Sequence, residues 1–75
     1  MDDLLNIFID PAKLRDAREK SGLTQEEVGN RCGVTYQQIS HIERGNKQPS
    51  SSLLIRLCAL YGVELAEVTT EAQAA

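Results

Sequence analysis

The sequence predicts an all-α protein, a compact bundle of five helices that contains a helix-turn-helix. Three observations indicate this class. Helix-starting and helix-ending residues recur along residues 10–68, apolar residues repeat at three- and four-residue spacing between them, and no stretch alternates apolar with polar residues long enough for a sheet. With 75 residues, no Trp, two Tyr and one Phe, the chain makes one domain at most, around an aliphatic core.

The first predicted helix begins at Asp10-Pro11, where Asp is an N-cap and Pro takes the first helical position. It ends at Gly22, since glycine readily adopts the left-handed conformation found just past many helix ends. Leu14 and Ala17 form its narrow apolar side. This helix is therefore expected to pack on the bundle through few side chains.

Two capping boxes mark the next two helices. In Thr24-Gln25-Glu26-Glu27 and in Thr35-Tyr36-Gln37-Gln38, the first side chain and the last each accept a hydrogen bond from the other residue's backbone N–H. Gly33 and Gly45 end the two helices. Because only a short turn separates them, they form a helix-turn-helix over about residues 24–44, which leaves one helix free to lie in a DNA major groove.

Two further helices complete the bundle. Ser50 caps a fourth helix, which has the widest apolar face and ends at Gly62, and Leu65 and Val68 mark a short fifth helix. The chain thus divides into an N-terminal arm at residues 1–9, with a short extended segment around residues 6–9, the helix-turn-helix domain at residues 10–68, and a flexible tail at residues 69–75.

The outer face of the third helix is the candidate functional surface. With an advance of about 100° per residue, Ile39, Ile42 and Glu43 lie on the inner side of this helix. The outer side carries Gln37, Ser40, His41 and Arg44, and Tyr36 lies at the leading end of the helix. Side chains of these types hydrogen-bond to base edges or contact them in a major groove. A plain solvated surface is the alternative, but such a face more often carries Glu and Lys in salt-bridged spacing.

Charge is unevenly distributed along the chain. The formal net charge is -3, with three acids in residues 1–10 and three in residues 61–75. Residues 28–60 carry four basic residues against Glu43 alone. Because DNA binding depends on local positive potential more than on total charge, this middle segment is compatible with a DNA partner. The alternative interpretation is that these basic residues lie by chance on a surface that contacts only solvent.

Other function classes are disfavoured. Cys32 and Cys58 lie at apolar helix positions and form no short metal-ligand pair, so both are interpreted as core, and no metal or cofactor is predicted. The single histidine, His41, has no catalytic partner at suitable spacing, so no enzymatic activity is predicted. No apolar run is long enough to cross a membrane, and the acidic start is unlike a secretory signal, so a cytoplasmic protein is expected.

The order and spacing of several short motifs resemble a known family. These motifs are Gly22-Leu23-Thr24-Gln25-Glu26-Glu27-Val28, Gly33-Val34-Thr35, Ile39-Ser40, Glu43-Arg44-Gly45, Pro49-Ser50, Leu57 and Gly62-Val63. Over about residues 11–68 they resemble the helix-turn-helix domain of the XRE and lambdoid phage repressor–Cro family. The resemblance implies a lambda-repressor-like fold and binding to the major groove of double-stranded DNA.

The resemblance also implies roles for individual residues. It assigns base reading to Tyr36, Gln37 and His41, with Ser40 and Arg44 nearby, and phosphate contacts to Gln25, Thr35, Asn46, Lys47, Gln48 and Ser50. Arg18 and Glu43 match the family's buried ion pair, an architectural feature. Two positions depart from the family pattern. Tyr36 replaces a small or amide side chain, and Glu64 replaces a capping Ser or Thr, which predicts a loosely started fifth helix.

Two functions are compatible with these features. The first is a sequence-specific transcriptional regulator, with repression as the expected mode, that binds an inverted-repeat operator as a homodimer. Its dimer surface is expected around Tyr61, Val63, Leu65 and Val68, or on the apolar arm from Leu4 to Ile9. The second is a module whose main partner is another protein, such as an antitoxin that binds a toxin or an antiactivator that binds another regulator.

Overall fold

The structure is a computed structural model that describes residues 7–71, and the side chains of residues 9–70. Its elements, in chain order, are β1 (Ile7–Ile9), α1 (Pro11–Lys20), α2 (Gln25–Cys32), α3 (Tyr36–Glu43), α4 (Ser51–Tyr61), a 3₁₀ turn (Leu65–Val68) and β2 (Thr69–Glu71). In this part of the chain, no helix is both long enough and apolar enough to cross a membrane.

The helix boundaries follow the local signals in the sequence. The Asp10 carboxylate accepts hydrogen bonds from the backbone N–H groups of Ala12 and Lys13, at 3.0 and 3.3 Å, and so caps α1. Both predicted capping boxes are present, at the starts of α2 and α3. Gly33 ends α2 in the left-handed conformation, with φ of 75°. The helix-turn-helix is therefore fixed by contacts within a few residues.

The prediction of five helices is wrong, because the structure has four α-helices between residues 7 and 71. The expected fifth helix is a single 3₁₀ turn of four residues, Leu65–Val68. The backbone N–H of Glu67 donates to the carbonyl of Glu64 at 2.9 Å, which is the three-residue spacing of a 3₁₀ turn. The strand β2 begins immediately afterwards at Thr69, so no residues remain for an α-helical repeat.

Two short strands close the domain where the sequence predicted no sheet. β1 and β2 pair antiparallel, with Phe8 opposite Thr70. The backbone N–H of Asp10 donates to the carbonyl of Val68 at 2.9 Å, and the Thr70 hydroxyl donates to the Asp10 carboxylate at 3.2 Å. Residues 69–71 are thus paired, whereas the prediction placed them in a flexible tail. The remainder of the predicted arm, residues 1–6, and of the tail, residues 72–75, lies outside the described residues.

The core is built from small and aliphatic side chains from α1, α2, α3, α4 and the 3₁₀ turn. The buried apolar residues are Leu14, Ala17, Val28, Cys32, Ile39, Ile42, Leu53, Leu57, Cys58, Tyr61 and Val68. Both cysteines are free and buried, as predicted, and burial raises the pKa of each thiol. Since α3 contributes Ile39 and Ile42 to this core, its opposite face is held outward.

Close backbone packing also positions α3. A Cβ added to the buried Gly29 in α2 would lie 2.7 Å from the Val34 carbonyl oxygen and 3.2 Å from the Tyr36 backbone nitrogen. The Gly29 carbonyl accepts a hydrogen bond from the Val34 N–H at 2.9 Å. The absence of a side chain at residue 29 therefore lets α2 approach the start of α3 directly.

Candidate nucleic-acid interface

The exposed face of α3 brings together three of the residues singled out in the sequence. Ile39 and Ile42 are buried at 2% and 3% exposure. Tyr36 is 51% exposed, and Gln37 and His41 are exposed as well. The helix therefore presents an amide, an imidazole and a phenol to solvent from a backbone fixed by a capping box and by two buried isoleucines.

Ser40 and Arg44 lie differently from the other candidate base-reading residues. Ser40 is half-buried, and Arg44 is the C-cap residue of α3. The Arg44 guanidinium is folded back along the helix, where its Nε and Nη2 donate to the Ser40 hydroxyl oxygen at 3.1 and 2.7 Å. Helical periodicity alone grouped these two residues with Gln37 and His41, and it contained no signal for this contact.

Arg18 of α1 and Glu43 of α3 form a two-bond ion pair. The distances are 2.7 Å from Arg18 Nε to Glu43 Oε2 and 3.1 Å from Nη2 to Oε1. The side chains are 12% and 4% exposed, and Arg18 Nη1 also donates to the Leu23 carbonyl at 2.8 Å. The hydrogen bond to Glu43 raises the pKa of Arg18 against the opposing effect of burial. This pair ties α1 to the end of α3.

Gln25, the first residue of α2, joins the same carboxylate. Its Nε2 donates to Glu43 Oε1 at 3.1 Å, and its side chain is half-buried. Glu43 therefore links the first three helices, because it accepts hydrogen bonds from Arg18 and from Gln25. The sequence analysis did not detect the Gln25–Glu43 contact, since the residues are 18 positions apart and neither belongs to the other's local motif.

The residues proposed to contact phosphates are distributed over two helix starts and one loop. The hydroxyl oxygens of Thr35 and Ser50 accept backbone hydrogen bonds at 3.2 Å each, as N-caps of α3 and α4. Asn46, Lys47 and Gln48 are exposed in the loop between those helices. Lys47, Gln48 and Ser50 border an open cleft of about 400 Å³ at the start of α4. Backbone N–H groups at helix starts and a lysine beside them suit phosphate oxygens.

The candidate dimer residues are only partly accessible. Tyr61 and Val68 are buried in the core at 9% and 1% exposure, so they are not available to a partner. The expectation for these two residues is corrected, because the packing of α4 and of the 3₁₀ turn on the core covers both. Burial raises the pKa of Tyr61. Leu65 is 49% exposed, Val63 is half-buried, and Ile55, which the sequence analysis missed, is 68% exposed.

Together, the fold and this surface define a helix-turn-helix protein with an outward-facing third helix. The family model described as helix-turn-helix matches residues 14–68, which is most of the chain. The chain therefore belongs to the helix-turn-helix family, and its XRE-type character agrees with the resemblance seen in the sequence.

Individual relatives agree with this assignment. The chain is 32% identical over 56 residues to the HTH-type transcriptional regulator YgzD of Bacillus subtilis, covering 75% of this chain and 85% of that protein. It is 34% identical over 62 residues to the CTXphi transcriptional repressor RstR of Vibrio cholerae, covering 83% of this chain and 56% of that protein.

A solved structure is also similar. The clp gene regulator ClgR of Corynebacterium glutamicum superimposes with a TM-score of 0.71 at 36% identity, covering 75% of this chain and 60% of that chain. The chain thus spans most of the Bacillus subtilis relative, but less than two thirds of the repressor and of this ClgR structure.

Proposed function

We propose that this protein is a sequence-specific transcriptional regulator that inserts α3 into the major groove of double-stranded DNA. The observation that carries the proposal is the exposed face of α3, where Tyr36, Gln37 and His41 are accessible and no acidic residue is exposed. The naming of relatives as transcriptional regulators supports it. Repression is the proposed mode, as for the Vibrio cholerae relative, and no catalytic activity is part of the function.

Each group on this face has a suitable partner on DNA. The Gln37 amide can donate to and accept from adenine, and the His41 imidazole can reach a base edge as donor or acceptor. The Tyr36 ring can contact a thymine methyl group. Phosphate contacts from Gln25, the cap residues Thr35 and Ser50, and the loop residues 46–48 orient the helix, and they carry no sequence information themselves.

The regulator is proposed to act as a homodimer on an inverted repeat. One recognition helix reads only a few base pairs, and a two-fold dimer matches a palindromic site. The accessible apolar residues Ile55, Leu65 and Val63 supply the contact surface. Ile55 lies opposite the buried Leu57 on α4, since two residues along a helix turn by about 200°.

Selection from a random pool of double-stranded DNA tests this function. The protein is expected to enrich an inverted repeat, and its affinity is expected to fall steeply with salt as counterions are released from the DNA. The selected site is then compared with a scrambled duplex of the same length. Equal affinity for both duplexes, or retention that does not depend on salt, would contradict the proposal.

The second candidate function is a protein-binding module. The specific observation in its favour is Ile55, an apolar side chain left 68% exposed on α4. A toxin or another regulator seated on this surface would leave the α3 face without a role. Absence of any DNA enrichment, together with a heterocomplex that an Ile55→Glu variant abolishes, would favour this function over the first.

A further inference from the structure

A cleft with two arginines lies between the end of α2 and the second half of α4. Its volume is about 350 Å³, and its lining residues are Arg31, Cys32, Arg56, Ala59 and Leu60. Among residues 7–71, no acidic residue and no residue of α3 lines it. This arginine cleft is therefore separate from the face proposed to read bases and from the residues proposed to contact phosphates.

The positive charge of the arginine cleft is not neutralised by the described part of the chain. Arg31 and Arg56 form no ion pair there. Glu27 lies one turn before Arg31 on α2, but its carboxylate already accepts a hydrogen bond from the Thr24 backbone N–H at 2.9 Å. Arg56 Nη1 donates to the Cys32 carbonyl at 3.2 Å, which holds the guanidinium at the end of α2 and leaves its other N–H groups to donate. The cleft therefore suits an acidic partner.

Apolar side chains extend the arginine cleft along α4. Ala59 is exposed and Leu60 is half-buried. Ile55, which is 68% exposed, precedes Ala59 by four residues, so the two lie on the same face of the helix. These three residues form an apolar strip beside the two guanidiniums. A partner segment that carries both carboxylates and aliphatic side chains would cover the strip and pair with the arginines.

The chain itself contains a segment of this composition. Residues 2–5, which lie outside the described residues, have the sequence Asp-Asp-Leu-Leu. They precede β1, whose Ile7 is paired with Glu71. Asp10, the third acid among the first ten residues, is already engaged as the N-cap of α1. Two carboxylates followed by two leucines thus match two arginines bordered by an apolar strip.

A dimer built only on the accessible apolar residues of the folded domain would have a small interface. Ile55, Val63 and Leu65 are three side chains, whereas a specific interface buries about 800 Å² on each partner. A two-fold axis repeats every contact, so a segment from each copy laid on the other copy adds two contacts to the same dimer. A second copy of the chain is therefore the occupant that these observations favour.

We propose that residues 2–5 of one copy bind the arginine cleft of a second copy, and that the two copies exchange these segments. The two aspartates pair with the two arginines, and the two leucines contact the apolar strip on α4. The exchange also holds the acidic charge of the segment against protein, away from the phosphates of bound DNA. This inference names the contacts of the proposed homodimer, so it rests on that part of the proposed function.

The test reverses the charge on each side of this contact. The cleft variant is Arg31→Glu, and the arm variant is Asp2→Lys/Asp3→Lys. The matched control is Lys13→Glu, which changes the charge by the same amount as the cleft variant at an exposed residue of α1 outside the cleft. Sedimentation equilibrium over a concentration series gives the dissociation constant of each dimer. The cleft and arm variants should each weaken the dimer by about 100-fold, which is about tenfold for each of two equivalent contacts. The control should leave it unchanged.

A mixture of the cleft variant with the arm variant distinguishes exchange between copies from docking within one chain. In an exchanged heterodimer, an unmodified segment meets an unmodified cleft, and the reversed segment meets the reversed cleft. Opposite charges then face each other in both contacts, so the mixture should dimerise more tightly than either variant alone. A mixture that dimerises no more tightly would overturn the proposal, because docking within one chain gives no such recovery.

Two checks keep the result interpretable. Thermal unfolding of each variant shows whether a lost dimer reflects a lost fold, and Arg31→Ala replaces Arg31→Glu if the latter does not fold. Leu4→Ser/Leu5→Ser should also weaken the dimer, because the apolar strip on α4 would lose its cover. A dimer unaffected by the leucine changes and by the arm variant would show that residues 2–5 are not the occupant.

The inference and the proposed function can fail separately. If the unmodified protein enriches an inverted repeat but the cleft and arm variants dimerise as Lys13→Glu does, the inference is wrong and the proposed regulator stands. If the mixture recovers the dimer but the protein enriches no DNA, the inference stands and DNA regulation is wrong. If the unmodified protein is monomeric at every concentration, both the inference and the proposed homodimer are wrong.

Discussion

The Glu43 carboxylate meets the Arg18 guanidinium side on, through two hydrogen bonds of 2.7 and 3.1 Å, in an environment almost closed to water. The two residues are 25 positions apart in the chain. Because Arg18 belongs to α1 and Glu43 ends α3, this pair fixes α3 against α1. Removing one partner leaves the other buried and charged, which costs more than the pair itself contributes.

Glu43→Gln is therefore expected to lower the free energy of unfolding by roughly 3 kcal/mol, because Arg18 loses its counterion. Urea denaturation followed by circular dichroism measures the change. The double variant Arg18→Met/Glu43→Leu should be more stable than Glu43→Gln, since it buries no unpaired charge. The exposed pair Arg15–Glu19 is the control, and Glu19→Gln should cost less than about 1 kcal/mol. A Glu43→Gln loss no larger than the Glu19→Gln loss would mean that the buried pair is not structural.

Gly29→Ala is expected to destabilise the fold by about 1 to 3 kcal/mol, because the new methyl group meets backbone that cannot move aside cheaply. The clash would be with the Val34 carbonyl at 2.7 Å. Asn30→Ala, an exposed change one residue further along α2, is the control and should lie within about 0.5 kcal/mol of the unmodified protein. The unfolding midpoints of the two variants and of the unmodified protein measure these changes in stability. Equal midpoints for Gly29→Ala and Asn30→Ala would refute the close approach of α2 to α3.

Gln37→Ala and His41→Ala are expected to reduce affinity for the selected duplex by about 1 to 3 kcal/mol each, and to relax base preference at the contacted position. Their affinity for a scrambled duplex should change little. Both residues are exposed, so the unfolding midpoint should stay unchanged. Lys20→Ala on α1 serves as an exposed control. Equal losses on selected and scrambled DNA would argue against base reading.

Ile55→Glu is expected to weaken the proposed homodimer, because a charge would replace an apolar contact across the two-fold axis. Sedimentation equilibrium should then report the 8.3 kDa of one chain over a concentration range where the unmodified protein is heavier. Lys20→Gln changes the net charge by the same amount on α1 and should leave the mass distribution unaltered. If the unmodified protein is itself monomeric at all concentrations, or Ile55→Glu stays dimeric, the Ile55 surface is not the interface.

Acid should weaken the capping box of α2. Hydrogen bonds from the backbone and the hydroxyl of Thr24 hold the pKa of Glu27 below its usual value of 4.5. A carboxyl group whose pKa is lower in the folded state contributes stability that is fully present above pH 4.5 and is lost as the pH falls through the folded pKa. The unfolding midpoint of Glu27→Gln should accordingly fall less between pH 5 and pH 3 than that of the unmodified protein. Parallel pH profiles for the two proteins would show that this carboxylate is not linked to folding.

The sequence by itself determined the four helices, the turn between α2 and α3, and the exposure of Gln37 and His41. These features depend on interactions within a few residues. The side chain of a cap residue accepts a hydrogen bond from a backbone N–H two or three positions away. A glycine ends a helix because it readily adopts a positive φ. The helical period of about 3.6 residues assigns each side chain to one face of its helix. Such interactions can be predicted wherever the local signals agree with one another.

The tertiary structure alone decided three other features. These are the pairing of β1 with β2, the contact of Gln25 with Glu43, and the burial of Tyr61 and Val68. All three depend on segments that are distant in sequence. Local patterns contain no information about which distant groups meet, because that depends on how the helices fill one shared core.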